Sequence, residues 1–195
     1  MMHFEKPPGA TGLDPDEIVG LKLKHLTTRA ELDRWEQDNI QDAIEWLGKR
    51  RKSEVLTKEF ITLLHVKMFG KVWKWAGEFR RTNKNIGVEW HLIPLELRQL
   101  INDTKYWVDN GVYTKDEIAY RFHHKLVWIH LFPNGNGRHS RMMADILLSD
   151  VFGVKTFTWG SGNLTDAGET RKQYINGLKA ADEQDFTLLA AFVKS

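Results

Sequence analysis

The sequence contains no cysteine. Disulfide frameworks and thiolate metal centres are therefore excluded, and a reducing compartment fits. No stretch approaches the roughly 18 consecutive apolar residues needed to cross a bilayer. Met1–Gly9 carries Pro7-Pro8 and no apolar run, so no secretory leader is expected. The expectation is a cytoplasmic chain without a membrane partner. A strong charge of either sign is also missing: 28 basic against 26 acidic residues leave a formal net charge of +2. That bias hints at anionic ligands but does not argue direct nucleic-acid binding. There is no internal repeat and no low-complexity tract. What remains is 195 residues, 42% of them hydrophobic, enough for one globular domain with a real core and a small appended arm.

Helical signals dominate. Residues 1–26 are rich in Pro, Gly and charge and read as a loosely structured arm. Thr28-Arg29-Ala30-Glu31 is a capping box; Leu32, Trp35, Ile40, Ile44 and Leu47 follow at helical spacing up to the basic run Lys49–Lys52. A second helix is predicted from about Thr57 to Phe69, with Phe60, Leu63, Leu64 and Met68 on one face and Gly70 as its stop. Residues 71–93 mix Trp73, Trp75 and Trp90 with Gly77, Asn83 and Gly87, which suggests irregular loops and a short β-hairpin around Ile86–Trp90. Pro94 opens a helix that runs to Asn110-Gly111, and the capping box at Thr114–Glu117 opens another that must end near Pro133-Asn134-Gly135. A further helix is expected from about Gly137 to Val151, then one from Thr165 to Ala181 and a shorter one from Asp185 to Val193. The expected class is all-α, a helical bundle with one small hairpin. The expected division is an N-terminal arm and helix, 1–54, and a main domain, 55–195.

One segment carries chemistry: His130-Leu131-Phe132-Pro133-Asn134-Gly135-Asn136-Gly137-Arg138-His139-Ser140-Arg141. It reads as a helix end, a tight Gly/Asn turn and a new helix N-terminus. Successive amides in such a turn form an anion nest, and the following helix adds unsatisfied N–H groups and its positive dipole end. Arg138 and Arg141, three apart, share a helix face and offer forked donors to phosphate oxygens. Asn134 offers an oxygen to Mg²⁺, which takes few protein ligands besides phosphates and water. His130 can titrate near neutral pH. A polyphosphate site beside a general base is the natural reading. A dinucleotide fingerprint fails because Ser140 stands at its third glycine and a helix precedes it; a P-loop fails for want of Gly-Lys-Ser/Thr. His123, His124, His130 and His139 lack the His-Glu-x-x-His spacing of a zinc site.

The segment resembles the motif of the Fic family, His-x-Phe-x-(Asp/Asn/Glu)-Gly-Asn-Gly-Arg-x-x-Arg, and matches it at every fixed position. Leu131 stands where proline is usual, and Asn134 where an acidic residue is commoner. More closely, the chain resembles a bacterial Fic subgroup labelled mobile mystery protein B, through Trp73-Lys74-Trp75-Ala76-Gly77, Lys84-Asn85-Ile86-Gly87-Val88 and Ala180-Ala181-Asp182. The resemblance implies a Fic-type bundle and a protein adenylyltransferase that moves AMP from Mg-ATP to a hydroxyl side chain of a target protein. It implies His130 as general base and Asn134 as the Mg²⁺ ligand. Gly135, Asn136 and Gly137 would supply backbone donors to the α- and β-phosphates, with Arg138 and Arg141 on the outer phosphates. The segment Thr82–His91, with Ile86, Gly87 and Val88 at its tip, would be a hairpin flap that docks the target as an added strand.

Fic proteins of this kind often carry an inhibitory glutamate that meets the second motif arginine, here Arg141. The usual inhibitory sequence is incomplete at Thr27–Glu31, where Leu32 follows, and at Thr165–Glu169, where Thr170 follows. Glu31 has capping duty, which leaves Glu36 as the better candidate, and a regulatory partner protein as the other route. Two alternatives stay open: transfer of another nucleotide or a phosphate, and a non-catalytic toxin–antitoxin type interaction module that binds nucleotide.

Overall fold

The computed structural model describes residues 14–51, 54–162, 164 and 168–195. Among these, every regular element is helical: α1 Pro15–Ile18, α2 Arg29–Lys49, α3 Lys58–Phe69, α4 Ile93–Asn110, α5 Lys115–Ile129, α6 Asn136–Ile146, α7 Glu169–Asp182 and α8 Thr187–Val193. Caps set most of the ends. Thr28 accepts the N–H of Glu31 while Glu31 reaches back, and Thr57 and Thr114 accept from Phe60 and Glu117. Gly111, at φ 59°, closes α4 in the left-handed conformation. The helix after the motif turn reaches Val151 as expected, but only as far as Ile146 as α-helix; Leu147–Val151 is a π turn.

Helix α2 packs on α3, α4 on α5, and α5 on α6 across the motif turn; α3 also reaches α6, and α7 pairs with α8. One core joins Leu64, Met68, Leu97, Phe122, Phe132 and Met143, all buried. Each such side chain contributes about 1.5–3 kcal/mol of burial free energy. A second cluster, around Tyr120, Trp159, Tyr174 and Phe192, seats α7 and α8.

The structure corrects several expectations. The arm is described only from residue 14; its first 13 residues lie outside the description, but 14–26 is anchored, with Leu21 and Leu26 buried and an isolated bridge joining Leu21 to Trp73. Thr165, the expected start of the helix found as α7, also lies outside, and that helix is described from Glu169. Of the apolar positions expected on the inner face of α2, Leu32 is buried and Ile40 and Leu47 pack partly buried against the core, but Trp35 and Ile44 are 43% and 46% exposed, and Glu36 and Asn39 are buried in their place. The polar pair goes inward because each finds partners there. Asn39 donates to the Lys67 carbonyl and accepts the N–H of Lys71, which joins α2 to the end of α3. Leu63 on α3 is likewise exposed, and Ile61 and His65 take the inner face.

Candidate active site

Helix α5 ends four residues before Pro133, at Ile129, because His130 turns left-handed, φ 58° and ψ 65°. That geometry costs a non-glycine residue about 1–3 kcal/mol and is kept where surrounding contacts dictate it. The contacts are plentiful. Asn136 accepts the N–H of Phe132 at 2.9 Å and donates to its carbonyl at 2.7 Å, so its side chain staples the turn. His65 takes the N–H of Gly77 on Nδ1; its Nε2 therefore carries the proton and donates to the Asn134 carbonyl at 3.0 Å. Its ring stacks on Phe132 with centroids 3.7 Å apart. Gly135 sits at φ 79°, and a Cβ there would come within 2.6 Å of the Phe69 ring, so both conformation and space demand glycine.

The turn delivers α6 with its N-terminus open. The first helical bond at that end runs from His139 to the Gly135 carbonyl, so the amides of Asn136, Gly137 and Arg138 precede the ladder. His139 itself points into the core, bonded to the Ile61 carbonyl, and burial lowers its pKa to about 4. Arg138 and Arg141 share one side of the helix, Arg138 over the Phe69 ring and Arg141 over Tyr174.

His130 lies behind the turn, only 5% exposed. Burial lowers its pKa to about 4, the charges of Arg80 and Lys84 push the same way, and a hydrogen bond to the Val127 backbone opposes them. The imidazole is therefore neutral at pH 7 and able to accept a proton.

Glu36 reaches this site from α2. One carboxylate oxygen accepts the indole N–H of Trp73 at 2.6 Å, and the other lies 2.7 Å from Arg138 Nη2. That second approach is off the N–H axis, which makes it an ion pair and not a well-aligned hydrogen bond. The expected contact of an acidic side chain with Arg141 is thus replaced by one with Arg138. Glu31 stays exposed at the start of α2, where its Oε2 accepts the Thr27 and Thr28 amides; those bonds lower its pKa.

The hairpin expected around Ile86–Trp90 is not formed: no strand occurs among the described residues, and the segment runs through bends into a 3₁₀ turn, Trp90–Leu92. The groups that would build a ladder are taken by side chains instead. Arg80 binds the Thr82 and Val88 carbonyls, and Asn83 Oδ1 accepts the N–H of Trp90. Lys84 is held by Asp14 and Glu17 at 2.8 and 2.6 Å. Gly87, at φ 95°, lies so close to the motif that a Cβ would approach His130 Cβ to 2.5 Å. Ile86 is half exposed and Val88 partly buried against the core. Asn85, Ile86 and Gly87 form one wall of a groove of about 760 Å³; His124, Ile175 and Asp182 contribute to the rest.

No group of three or more His, Asp or Glu side chains able to hold a metal ion occurs among the described residues. Asn134 Oδ1 accepts the Gly135 amide at 2.6 Å, yet an amide oxygen keeps a second lone pair. It fits the role of single protein ligand to an ion held otherwise by phosphates and water.

Asn134, Gly135, Asn136, Gly137 and Arg138 fall in the turn and the first turn of α6, with Arg141 one turn on; His130 precedes the turn, and Gly87 lies against its Cβ. Sequence reasoning missed Arg80, His65 and Lys84. Arg80 and His65 are buried polar residues whose partners are backbone groups, and a single sequence gives no signal for such contacts.

A helix end, a stapled turn and a helix N-terminus with two arginines follow one another in this helical domain. Residues 55–148 match the Fic/DOC family, and the chain carries a domain of that family. Among curated relatives, the protein named protein adenylyltransferase Fic of Drosophila grimshawi is 30% identical over 148 residues, 73% of this chain and 29% of the relative. That of Drosophila mojavensis is 30% identical over 183 residues, 86% of this chain and 34% of the relative. The chain thus spans about a third or less of these relatives' length. Among solved structures, BepC of Bartonella tribocorum with bound AMPPNP is similar at a TM-score of 0.69 and 17% identity, covering 96% of this chain and 93% of that one. Fic-1 of C. elegans is similar at 0.60 and 21% identity, covering 80% and 45%. These structural likenesses establish the all-helical Fic fold.

Proposed function

We propose that the chain is a protein adenylyltransferase: it transfers AMP from Mg-ATP to a Ser, Thr or Tyr hydroxyl of a target protein. The observation that carries this reading is the neutral imidazole of His130 beside the open N-terminus of α6. The names of the relatives at about 30% identity and the ATP analogue in one structural neighbour support it.

In this reading the open amides of Asn136 and Gly137 receive the α- and β-phosphates, Gly135 shapes the turn while its own amide stays on Asn134, and Arg138 and Arg141 receive the outer phosphates. Asn134 would hold Mg²⁺, which supplies charge neutralisation on the polyphosphate. The target hydroxyl gives its proton to His130, its oxygen bonds to the α-phosphorus, and the bond to the β-phosphate bridging oxygen breaks, releasing pyrophosphate. Most of the rate enhancement is positioning and preorganised charge. Residues 82–91, with Ile86, Gly87 and Val88, remain the target-docking segment, now as a loop and not a hairpin.

Regulation belongs to the same reading. Glu36 occupies Arg138 and competes with phosphate for its guanidinium; Glu31, engaged in the cap of α2, is the weaker candidate. The N-terminal part, 1–54, then carries the inhibitory side chain and 55–195 the transferase. A partner protein could act by drawing Glu36 away. We place the chain in the bacterial subgroup named above and in the cytoplasm; no helix among the described residues is long and apolar enough to cross a membrane. Incubation of a lysate with ATP labelled at the α- or the γ-phosphate tests the reaction. Label retained on protein only from the α-position supports AMP transfer; retention from the γ-position points to phosphate transfer, and retention from neither to a binding module.

A further inference from the structure

Arg80 is a fully buried cation, 1% exposed, between two functional segments. Toward the motif, its Nε donates to the His130 carbonyl at 2.6 Å and its Nη2 to that of Ile129 at 3.3 Å. Toward the docking loop, its Nη1 donates to the Thr82 carbonyl at 2.8 Å and its Nη2 to that of Val88. Its own amide donates to the Leu131 carbonyl at 2.9 Å. One side chain thus holds both ends of the loop 82–88 and the backbone on which the imidazole stands. The missing side chain of Gly87 leaves room for this: a Cβ there would lie 2.8 Å from Arg80 Nη2 as well as against His130. Only a planar fork reaches four carbonyls at once; a lysine keeps the charge but not that geometry.

We propose that Arg80 is a positioning residue that locks the docking loop and His130 into one frame, so that a hydroxyl presented by the loop meets the imidazole at a fixed place. It touches no reacting atom. The placement rests on the adenylyltransferase reading only for its consequence on rate; the coupling itself is a property of the fold. Arg80 also sets the field at the imidazole. The charged groups around it are Arg80, Lys84 and the latter's partners Asp14 and Glu17.

The test compares wild type, Arg80→Lys and Arg80→Gln by NMR without nucleotide, then by Mg-ATP binding and label transfer. In both variants the backbone order of residues 82–88 should fall from about 0.85 to below about 0.6 while the helices stay rigid. The His130 ring should titrate near its wild-type midpoint in Arg80→Lys and closer to the ordinary histidine value in Arg80→Gln. Transfer by Arg80→Lys should drop at least tenfold with Mg-ATP affinity within twofold. Unchanged order of 82–88 in both folded variants would overturn the proposal. So would uniform loosening or global unfolding of Arg80→Lys, which makes the arginine a general structural residue. Absence of transfer in the Glu36→Gln background, with the loop result intact, would refute the transferase reading and leave the coupling standing.

Discussion

A carboxylate oxygen of Glu36, on α2, lies 2.7 Å from a guanidinium nitrogen of Arg138 in the first turn of α6. Glu36 is 1% exposed, and its other oxygen is bound by the indole of Trp73. Arg138 is partly exposed, but taking it from Glu36 leaves that carboxylate desolvated without its counter-charge. A bound polyphosphate replaces the carboxylate on Arg138 but leaves Glu36 to find another position. In the adenylyltransferase reading proposed above, the pair would oppose nucleotide binding.

Glu36→Gln should release that opposition. An amide oxygen still accepts from Trp73, but the competing charge is gone. We expect auto-modification with labelled ATP to rise tenfold or more, on the order of 1.4 kcal/mol. An unchanged rate in a folded variant would remove Glu36 from regulation.

Arg138→Ala is best made in the Glu36→Gln background, so that no buried carboxylate is stranded. Charge-assisted hydrogen bonds contribute about 1.5–3 kcal/mol each, so Mg-ATP affinity should fall by tenfold or more. Calorimetry that finds the affinity of the single variant retained would take Arg138 out of the phosphate site.

Asn134→Asp should preserve or raise Mg²⁺-dependent transfer. Aspartate keeps the acceptor for the Gly135 amide and adds charge toward the ion. A Mg²⁺ titration in which activity collapses while the fold holds would mean that Asn134 acts through its amide donor.

Stability should fall with acid. His123, His130 and His139 are held down to about 3, 4 and 4 by burial, and His65 well below its usual value. Between those values and the unfolded value of 6.5 the unfolded chain binds more protons, so stability rises with pH through this window. The contribution is complete above pH 6.5 and is lost on the way down to pH 3–4. Asp145 works in the opposite sense, since burial raises it to about 6, but it stands against these four histidines and His124, which burial also lowers. Calorimetry should show Tm falling steadily from pH 7 to 4.5. A flat profile would contradict the burial of these histidines.

The fold was legible where local chemistry fixes it. Thr28, Thr57 and Thr114 cap the helices they were expected to open, and Gly111 ends α4 where expected. The motif residues His130–Arg141 were legible as a group because their order is specific. What escaped was decided by distant partners. Periodicity put Trp35 and Ile44 inward on α2, whereas Trp73, Arg138 and the Lys67 carbonyl draw Glu36 and Asn39 there. The hairpin expected from Ile86, Val88 and Trp90 is unmade by Arg80, which takes carbonyls at both ends of the loop. The left-handed turn at His130 ends α5 earlier than Pro133 would.

The central claim is that His130 is the base for AMP transfer. Transfer from α-labelled ATP should be measured with Glu36→Gln and with the Glu36→Gln, His130→Ala double variant, each shown by calorimetry to bind Mg-ATP. The account predicts label on protein with the first and at least a hundredfold less with the second, at affinities within a few-fold of each other, in keeping with the 10²–10⁴-fold typical of general-base catalysis. Equal labelling by the two variants would contradict it.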